Sequence, residues 1–294
     1  MNDKQALTVV IPCYNEAPNL KALLASWMKI FRANRFNLIL VDDGSTDNTR
    51  QLLKALPAGR GLRVIHHPRN QGYGAALKTG LKEVLTPYAA TMDADGQHDP
   101  SDIPKLLAGL RSAEADLIIG SRQGKAGRRA FRSLGKWLIR VFARFLFSRK
   151  FSDLNSGMRV FRADLAKKYM GVCPNSMAFS DIFALVFLSQ GHVVQEQDVI
   201  VAKRRSGSSS VGIRTAFETV WEIIVIATLF KPMKIFLPLS ALFFLAGLGW
   251  GIPLVLAGRG VSIMASLLIL IAILLFVLGI LAEQLSTLIR LKIE

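Results

Sequence analysis

The sequence predicts an α/β protein, a largely parallel sheet wrapped by helices, followed by a C-terminal transmembrane hairpin of two helices. Three observations carry that prediction. Short β-rich runs alternate with helical stretches through the first 120 residues, the pattern of a sheet built from strand–helix–strand units. The polar loops Tyr14–Glu16, Asp42–Asp47 and Asp93–Asp99 each follow a strand, and parallel sheets collect ligands at their carboxyl ends. Two uncharged runs lie near the C-terminus, Ile235–Leu256 over 22 residues and Val261–Leu281 over 21.

Taken in order, strands are predicted at Leu7–Cys13, Phe36–Val41, Leu62–His66, Tyr88–Met92 and Asp116–Ile119, each rich in β-branched or apolar residues and bounded by turn formers. Helices are predicted at Asn19–Phe31, Asp47–Leu56, Gly74–Val84 and Ser101–Leu110. The apolar run Leu7–Ile11 is stopped by Pro12, so it reads as a strand and not as a signal peptide. After Gly120 the alternation loosens: a basic amphipathic helix, the segment Asp153–Arg162 without an assigned element, a helix at Phe179–Gln190 and a strand at His192–Val201. Ser206–Gly212 is Gly/Ser-rich and reads as a loop. Ile213–Phe230 is amphipathic and carries Trp221, an aromatic suited to the headgroup level. The expected division is a cytoplasmic domain over 1–212, an interfacial helix over 213–234 and the hairpin over 235–294.

Each uncharged run is long enough to cross a bilayer as a helix, and only Ala257-Gly-Arg-Gly260 separates them. A buried soluble helix pair is the alternative, but soluble helices seldom stay apolar on every face. Lys231 and Lys234 precede the first run, Arg290 and Lys292 follow the second, and only Arg259 lies between. The positive-inside rule therefore places the N-terminal domain and the C-terminus in the cytoplasm, at the inner membrane of a multi-pass protein. Cys13 and Cys173 show no metal-binding spacing and are expected to stay reduced there.

The formal net charge is +16, and Ser121–Lys150 alone holds ten Lys or Arg and no acid. Phe131, Leu134, Leu138, Val141, Phe142 and Phe145 interleave with Arg128, Arg132, Lys136, Arg140 and Arg144 at helical spacing. Beside a membrane hairpin, such a helix fits anionic lipid headgroups better than nucleic acid.

The segment Asp93-Ala-Asp-Gly-Gln-His-Asp99 follows the apolar run Pro87–Met92. Carboxylates at i and i+2 on a continuing strand point to one face. Asp93 and Asp95 so placed are hard oxygen ligands suited to Mg²⁺ or Mn²⁺ bound together with a phosphate group. Such pairs alone often only cap turns. His98, with His66 and His67 elsewhere, lacks the paired spacing of a zinc site.

Six motifs occur in one order: Val10-Ile-Pro-Cys-Tyr-Asn-Glu16, Val41-Asp-Asp-Gly-Ser-Thr-Asp47, Asn70-Gln-Gly-Tyr-Gly74, Asp93-Ala-Asp-Gly-Gln97, Gly120-Ser-Arg122 and Ser156-Gly-Met-Arg159. In that order they resemble family 2 glycosyltransferases, and within them the membrane-anchored polyprenyl-phosphate glycosyltransferases, the group of dolichol-phosphate mannose synthase. The resemblance spans about residues 7–212, and the hairpin is similar to that of bacterial two-span members. It implies a Rossmann-like A-type glycosyltransferase domain. It also implies a UDP- or GDP-hexose donor, a polyprenyl phosphate acceptor (undecaprenyl or dolichyl) and a divalent cation.

Carried over residue by residue, the resemblance puts Pro12, Tyr14 and Glu16 against the nucleotide base and ribose, with Val41 and Asp43 closing that pocket. A Tyr offers the base a flat face, and ionised carboxylates accept from base N–H or ribose hydroxyls. The competing reading of Asp42-Asp43-Gly44-Ser45 is a strand-to-helix turn. Asn70 and Gly72 are expected to let backbone approach the diphosphate. Asp93 and Ala94 are expected on the nucleotide side, and Asp95, with Gln97 as a further oxygen ligand, on the metal.

The implied acceptor, a phosphate monoester with a second pKa of about 6, is mostly dianionic at neutral pH and hardly needs a general base. It needs cations that hold it in line with the anomeric carbon. Arg122, Arg128, Arg132 and Arg204 are the candidates, because the planar guanidinium matches phosphate oxygens. Asp153 resembles an acidic family position that orients the acceptor or acts as base; a helix cap or an ion pair with Arg159 are its other readings. The chain departs from the related late loop Arg-x-x-Gly-x-Ser-Lys by carrying Ser210 where the lysine stands, so that one cation is either missing or supplied elsewhere, by Lys203 or Arg205.

Two other functions fit parts of this pattern. A family 2 transferase acting on a sugar hydroxyl wants a carboxylate base, and processive synthases add Gln-x-x-Arg-Trp; none of Trp27, Trp137, Trp221 and Trp250 stands in that motif. A non-catalytic membrane partner retaining the fold does not require intact Asp93, Asp95 and Gln97. Membrane hairpins of this kind are also compatible with a homo-oligomer.

Overall fold

The computed structural model describes residues 7–57, 59, 61–122, 154, 156–202 and 232–293. Seven strands form one sheet: β1 Leu7–Cys13, β2 Asn37–Asp42, β3 Leu62–His66, β4 Tyr88–Thr91, β5 Leu117–Arg122, β6 Arg159–Arg162 and β7 Val194–Val199, in the spatial order β3-β2-β1-β4-β6-β5-β7. The pairs β1–β2, β1–β4, β2–β3 and β5–β7 are parallel. Only β6 runs antiparallel, to both β4 and β5.

The predicted boundaries of β1 and β3 match the structure. β1 is buried at every position, as expected of a central strand covered on both faces. Between β1 and β4 the chain reverses its direction of travel across the sheet, having first gone outward to β3. Such a reversal opens a crevice at the carboxyl ends of the two strands.

The helices are α1 Ala17–Ala33, α2 Thr49–Lys54, α3 Tyr73–Lys82, α4 Ile103–Ser112, α5 Ala163–Tyr169 and α6 Phe179–Ser189. α1 starts with Pro18 in its first turn and buries Leu20, Leu24, Trp27 and Phe31, one apolar stripe at helical spacing. Each such fully buried side chain contributes about 1.5–3 kcal/mol of burial free energy. α2 is shorter than predicted because Asp47 and Asn48 bend into the preceding turn, where Asp47 Oδ1 accepts from Thr49 N at 2.9 Å. α6 lays Phe179, Phe183 and Phe187 in a row, with Phe161 edge-on to Phe183 at 4.9 Å.

β5 extends three residues beyond its predicted end because Gly120, Ser121 and Arg122 pair with Gln197, Asp198 and Val199 of β7. β7 itself is shorter than predicted. β6 and α5 carry no element in the sequence reading: Arg159-Val-Phe-Arg162 is too short, and too charged at its ends, to show a period.

By compactness the chain forms two units, Met1–Ala216 and Phe217–Glu294. The described part of the second is a hairpin of α7, Met233–Leu256, and α8, Ile263–Ile293. Both helices are long and apolar enough to cross a membrane, with mean hydropathies of 2.0 and 3.1. α8 continues twelve residues past the predicted end of its apolar run. Small residues let the helices approach: a Cβ at Gly247 would meet Ile269 Cγ1 at 2.8 Å, and one at Gly279 would meet Phe236 Cβ at 2.7 Å. Ser240 donates to the Ala272 carbonyl at 2.8 Å, while Leu242, Leu245 and Trp250 face outward.

Candidate active site

Four loops follow β1, β2, β3 and β4. The first two are tied together: Asn15, at φ +55°, accepts from Thr46 N at 2.8 Å through its Oδ1, and its own N–H donates to Ser45 Oγ at 3.1 Å. Asp47 Oδ2 accepts from Ala17 N at 3.2 Å. Pro12 is buried and sits in register with Val41 on β2. Beyond them Tyr14 is 45% exposed. Glu16 accepts from Asn19 Nδ2 at 2.6 Å.

Asp42 and Asp43 point into the protein. Asp42 accepts from Ser45 N at 2.9 Å and Arg50 Nε at 2.9 Å, and pairs with His66 Nδ1 at 3.0 Å. Burial pushes its carboxyl up, but the His66, Arg50 and Ser45 bonds outweigh that and hold it at about 2. Asp43 pairs with His67 Nδ1 at 2.7 Å and accepts from Gln71 N and Gly72 N, both at 2.9 Å. The Thr79 hydroxyl meets the far side of the His67 ring at 3.0 Å. Asp43 therefore fixes the path of Asn70–Gly72. The sequence reading missed His66 and His67 in this role; two histidines at the end of a strand neighbouring the Asp-Asp turn were the available signal.

Gly72 also makes a close approach within the protein itself. Its φ is +101°, and a Cβ there would lie 2.4 Å from the Asn175 carbonyl oxygen. Its missing side chain thus makes room for the backbone of Asn175 and Ser176, a contact the Asn70–Gly74 motif did not reveal. Gly74 N donates to that same carbonyl at 2.9 Å.

The aspartates after β4 also depart from the strand geometry expected of them. β4 ends at Thr91, and Ala94 and Asp95 form a turn with Gly96 at φ +73°. Strand alternation therefore does not put Asp93 and Asp95 on one face. Asp93 Oδ1 accepts from the Tyr73 hydroxyl at 2.8 Å, whereas Asp95 Oδ1 accepts from Gln97 N at 3.0 Å. Ala94 is buried between them. Gln97 is partly exposed, and its carbonyl accepts from Ala202 N at 2.8 Å, next to a bridge between His98 and Val201. Asp99 caps the following turn through Ser101 N at 2.9 Å.

Among the described residues no group of three His, Cys, Asp or Glu is arranged to hold a metal. The oxygens present, two carboxylates and an amide, are all hard donors. That set fits Mg²⁺ or Mn²⁺, which keep positions for waters and substrate phosphates, and does not fit zinc. The thiols take no part: burial pushes Cys13 far up and Cys173 up to about 12.

Arg159, the last residue of Ser156-Gly-Met-Arg159, is 2% exposed. Its guanidinium donates to the carbonyls of Ser156, Leu154 and Ser180. Arg128, Arg132, Asp153, Arg204 and Ser210 lie outside the described residues, with the basic helix and Ile213–Phe230. So does the Arg122 side chain, although its backbone ends β5.

Residues 8–170 match the model of Glycosyl transferase family 2, and residues 231–288 that of the GtrB C-terminal hairpin. The chain is 29% identical to the dodecaprenyl-phosphate galacturonate synthase of Rhizobium johnstonii, over 74% of this chain and 65% of that protein. It therefore spans just under two thirds of that relative. It is 28% identical to the dolichol-phosphate mannosyltransferase of Pyrococcus furiosus over 72% of this chain and 61% of that one. An uncharacterized glycosyltransferase of Mycobacterium tuberculosis is 33% identical, over 74% of this chain and 98% of its own length. Among solved structures, glucosyl-3-phosphoglycerate synthase of Mycobacterium tuberculosis, in complex with Mn²⁺, UDP and phosphoglyceric acid, superposes with a TM-score of 0.59 at 18% identity, covering 76% of this chain and 77% of that one. At that identity the likeness concerns the fold. The sheet, the family model over more than half the chain and the full-length relative agree: this chain belongs to glycosyl transferase family 2.

Proposed function

We propose that this protein transfers one hexose from a UDP- or GDP-sugar to the phosphate of a membrane polyprenol, with inversion, at the cytoplasmic face of the membrane. The observation that carries the reading is the pairing of a family 2 domain with a GtrB-type hairpin in one chain. The named polyprenyl-phosphate relatives supply the acceptor class.

In this reading Tyr14 and Glu16 hold the base and ribose, beside Pro12 and Val41. Asp43 acts through backbone, by holding Asn70–Gly72 against the diphosphate. Asp95, Gln97 and Asp93 would hold Mg²⁺ or Mn²⁺. When bound, that ion neutralises charge gathering on the diphosphate as the sugar leaves. A lipid phosphate oxygen attacks the anomeric carbon from the face opposite the diphosphate. One C–O bond forms, the sugar–diphosphate C–O bond breaks with its electron pair going to the diphosphate, and an α-linked donor gives a β-linked product. Arg122, Arg128, Arg132 and Arg204 hold the acceptor phosphate, and Asp153 orients it. Residues 1–212 form the transferase domain, 213–234 an interfacial helix on anionic lipid, and 235–294 the two-span anchor.

The test is radiolabelled UDP- and GDP-hexoses with undecaprenyl phosphate and Mg²⁺, followed by lipid extraction. A labelled lipid product sensitive to chelation is expected. Transfer only to sugar hydroxyls, or no lipid-extractable product across the donors, rejects the reading.

A further inference from the structure

We propose that Tyr73 is a positioning residue for Asp93, its phenol holding the carboxylate from the first turn of α3. The inference deepens the transferase reading and rests on it only for the assay. Tyr73 is the first residue of α3, and no role was assigned to it by the motif in which it stands. Its hydroxyl donates to Asp93 Oδ1 at 2.8 Å.

The direction of this bond follows from proton counting. An ionised carboxylate only accepts, and a phenol carries one proton. That proton goes to Asp93.

The other side of Asp93 is walled. A Cβ on Gly157 would lie 2.1 Å from Asp93 Oδ2, so the carboxylate lies over the α-carbon of that glycine. Gly157 is in turn pinned, its carbonyl accepting from Thr91 Oγ1 at 2.8 Å. The carboxylate is thus wedged between the phenol on α3 and the backbone that leads into β6. Both neighbours limit the freedom of a side chain that stands on a loop just before a turn. A reacting carbon must be held to within a fraction of an ångström, and a carboxylate that touches the donor can do this only if it is itself fixed.

The experiment uses the full chain in detergent or nanodiscs. Tyr73→Phe removes one oxygen and keeps the ring. A fall in kcat of about tenfold or more is expected, because misplacement near the reacting atoms costs rate before it costs binding. Donor KM should stay within about twofold. Asp93→Asn should fall at least as far, and the double variant should be no slower than Asp93→Asn by more than about twofold, the non-additivity of a coupled pair. A Tyr73→Phe kcat within twofold of the unaltered protein overturns the proposal. So do multiplicative effects in the double variant, or a lowered melting temperature with kcat intact. Rates are compared on whichever acceptor the unaltered protein uses: polyprenyl phosphate, a sugar hydroxyl, or water in donor hydrolysis. Absence of a lipid product therefore overturns the functional reading without deciding this one.

Discussion

The two aspartate pairs at the sheet's rim look alike in sequence and differ in use. Asp42 ends β2 and Asp43 follows it; both are at most 2% exposed, and between them they make six hydrogen bonds to Ser45, Arg50, His66, His67, Gln71 and Gly72. They build the rim. Asp93 and Asp95 follow β4 and sit on a turn, the first held by a phenol and the second capping a backbone N–H two residues on. The difference teaches that a carboxylate at a strand's carboxyl end is not by itself a ligand. Buried donors from neighbouring loops can consume it entirely, and a charge so paired serves architecture.

The sharpest way to break that contrast is Asp95→Ala. Turnover should fall at least about 10³-fold, as expected when charge stabilisation at the leaving group is lost, while vesicle flotation and the melting temperature stay unchanged. Normal activity in the lipid-product assay would mean the cation is held elsewhere. Asp43→Asn should show the reverse pattern. It weakens buried bonds to His67 and two backbone N–H groups, so a stability loss of about 2–3 kcal/mol is expected in urea unfolding. Nucleotide affinity by calorimetry should weaken about tenfold through the loosened Asn70–Gly72 loop. Equal stability losses in the two variants would erase the distinction drawn here.

Arg204→Ala extends the comparison to the acceptor. Ala202, two residues earlier, is bonded to Gln97, so the chain passes the Asp93–Gln97 loop just before this arginine. Acceptor KM should rise about tenfold, the loss of one charge-assisted bond, with donor KM unchanged; unchanged kinetics for both substrates would remove Arg204 from the site. The smallest effect concerns pH. Asp42 is held at about 2 in the fold against 3.8 ordinarily. Its stabilisation is therefore complete above about pH 4 and is lost as pH falls toward 2. Urea midpoints between those values should decline less steeply for Asp42→Asn than for the unaltered protein; parallel curves would show that Asp42 is not the group responsible.

The residues assigned to the candidate site could be singled out because they come in local clusters. Asp93 and Asp95 could be singled out from residue type and spacing, and Gln97, Pro12 and Val41 from the order of motifs that carries the family resemblance. What stayed hidden is long-range pairing. Tyr73 finds Asp93 twenty residues away, and Asn175 fills the space beside Gly72 from a hundred residues on. No local pattern encodes either meeting. The arginines assigned to the acceptor were read from charge and helical spacing, and most of them lie outside the described residues.

By itself the sequence determined the alternation of strands and helices, the central strand β1, the apolar hairpin and the family, because hydrophobic period and motif order are properties of neighbouring residues. Tertiary structure alone decided that β6 runs against its neighbours, that β5 continues through Arg122, and that Asp43 faces inward. Each of these depends on which distant backbone N–H or carbonyl lies within hydrogen-bonding reach, and the folded chain, not the order of residues along it, sets those distances.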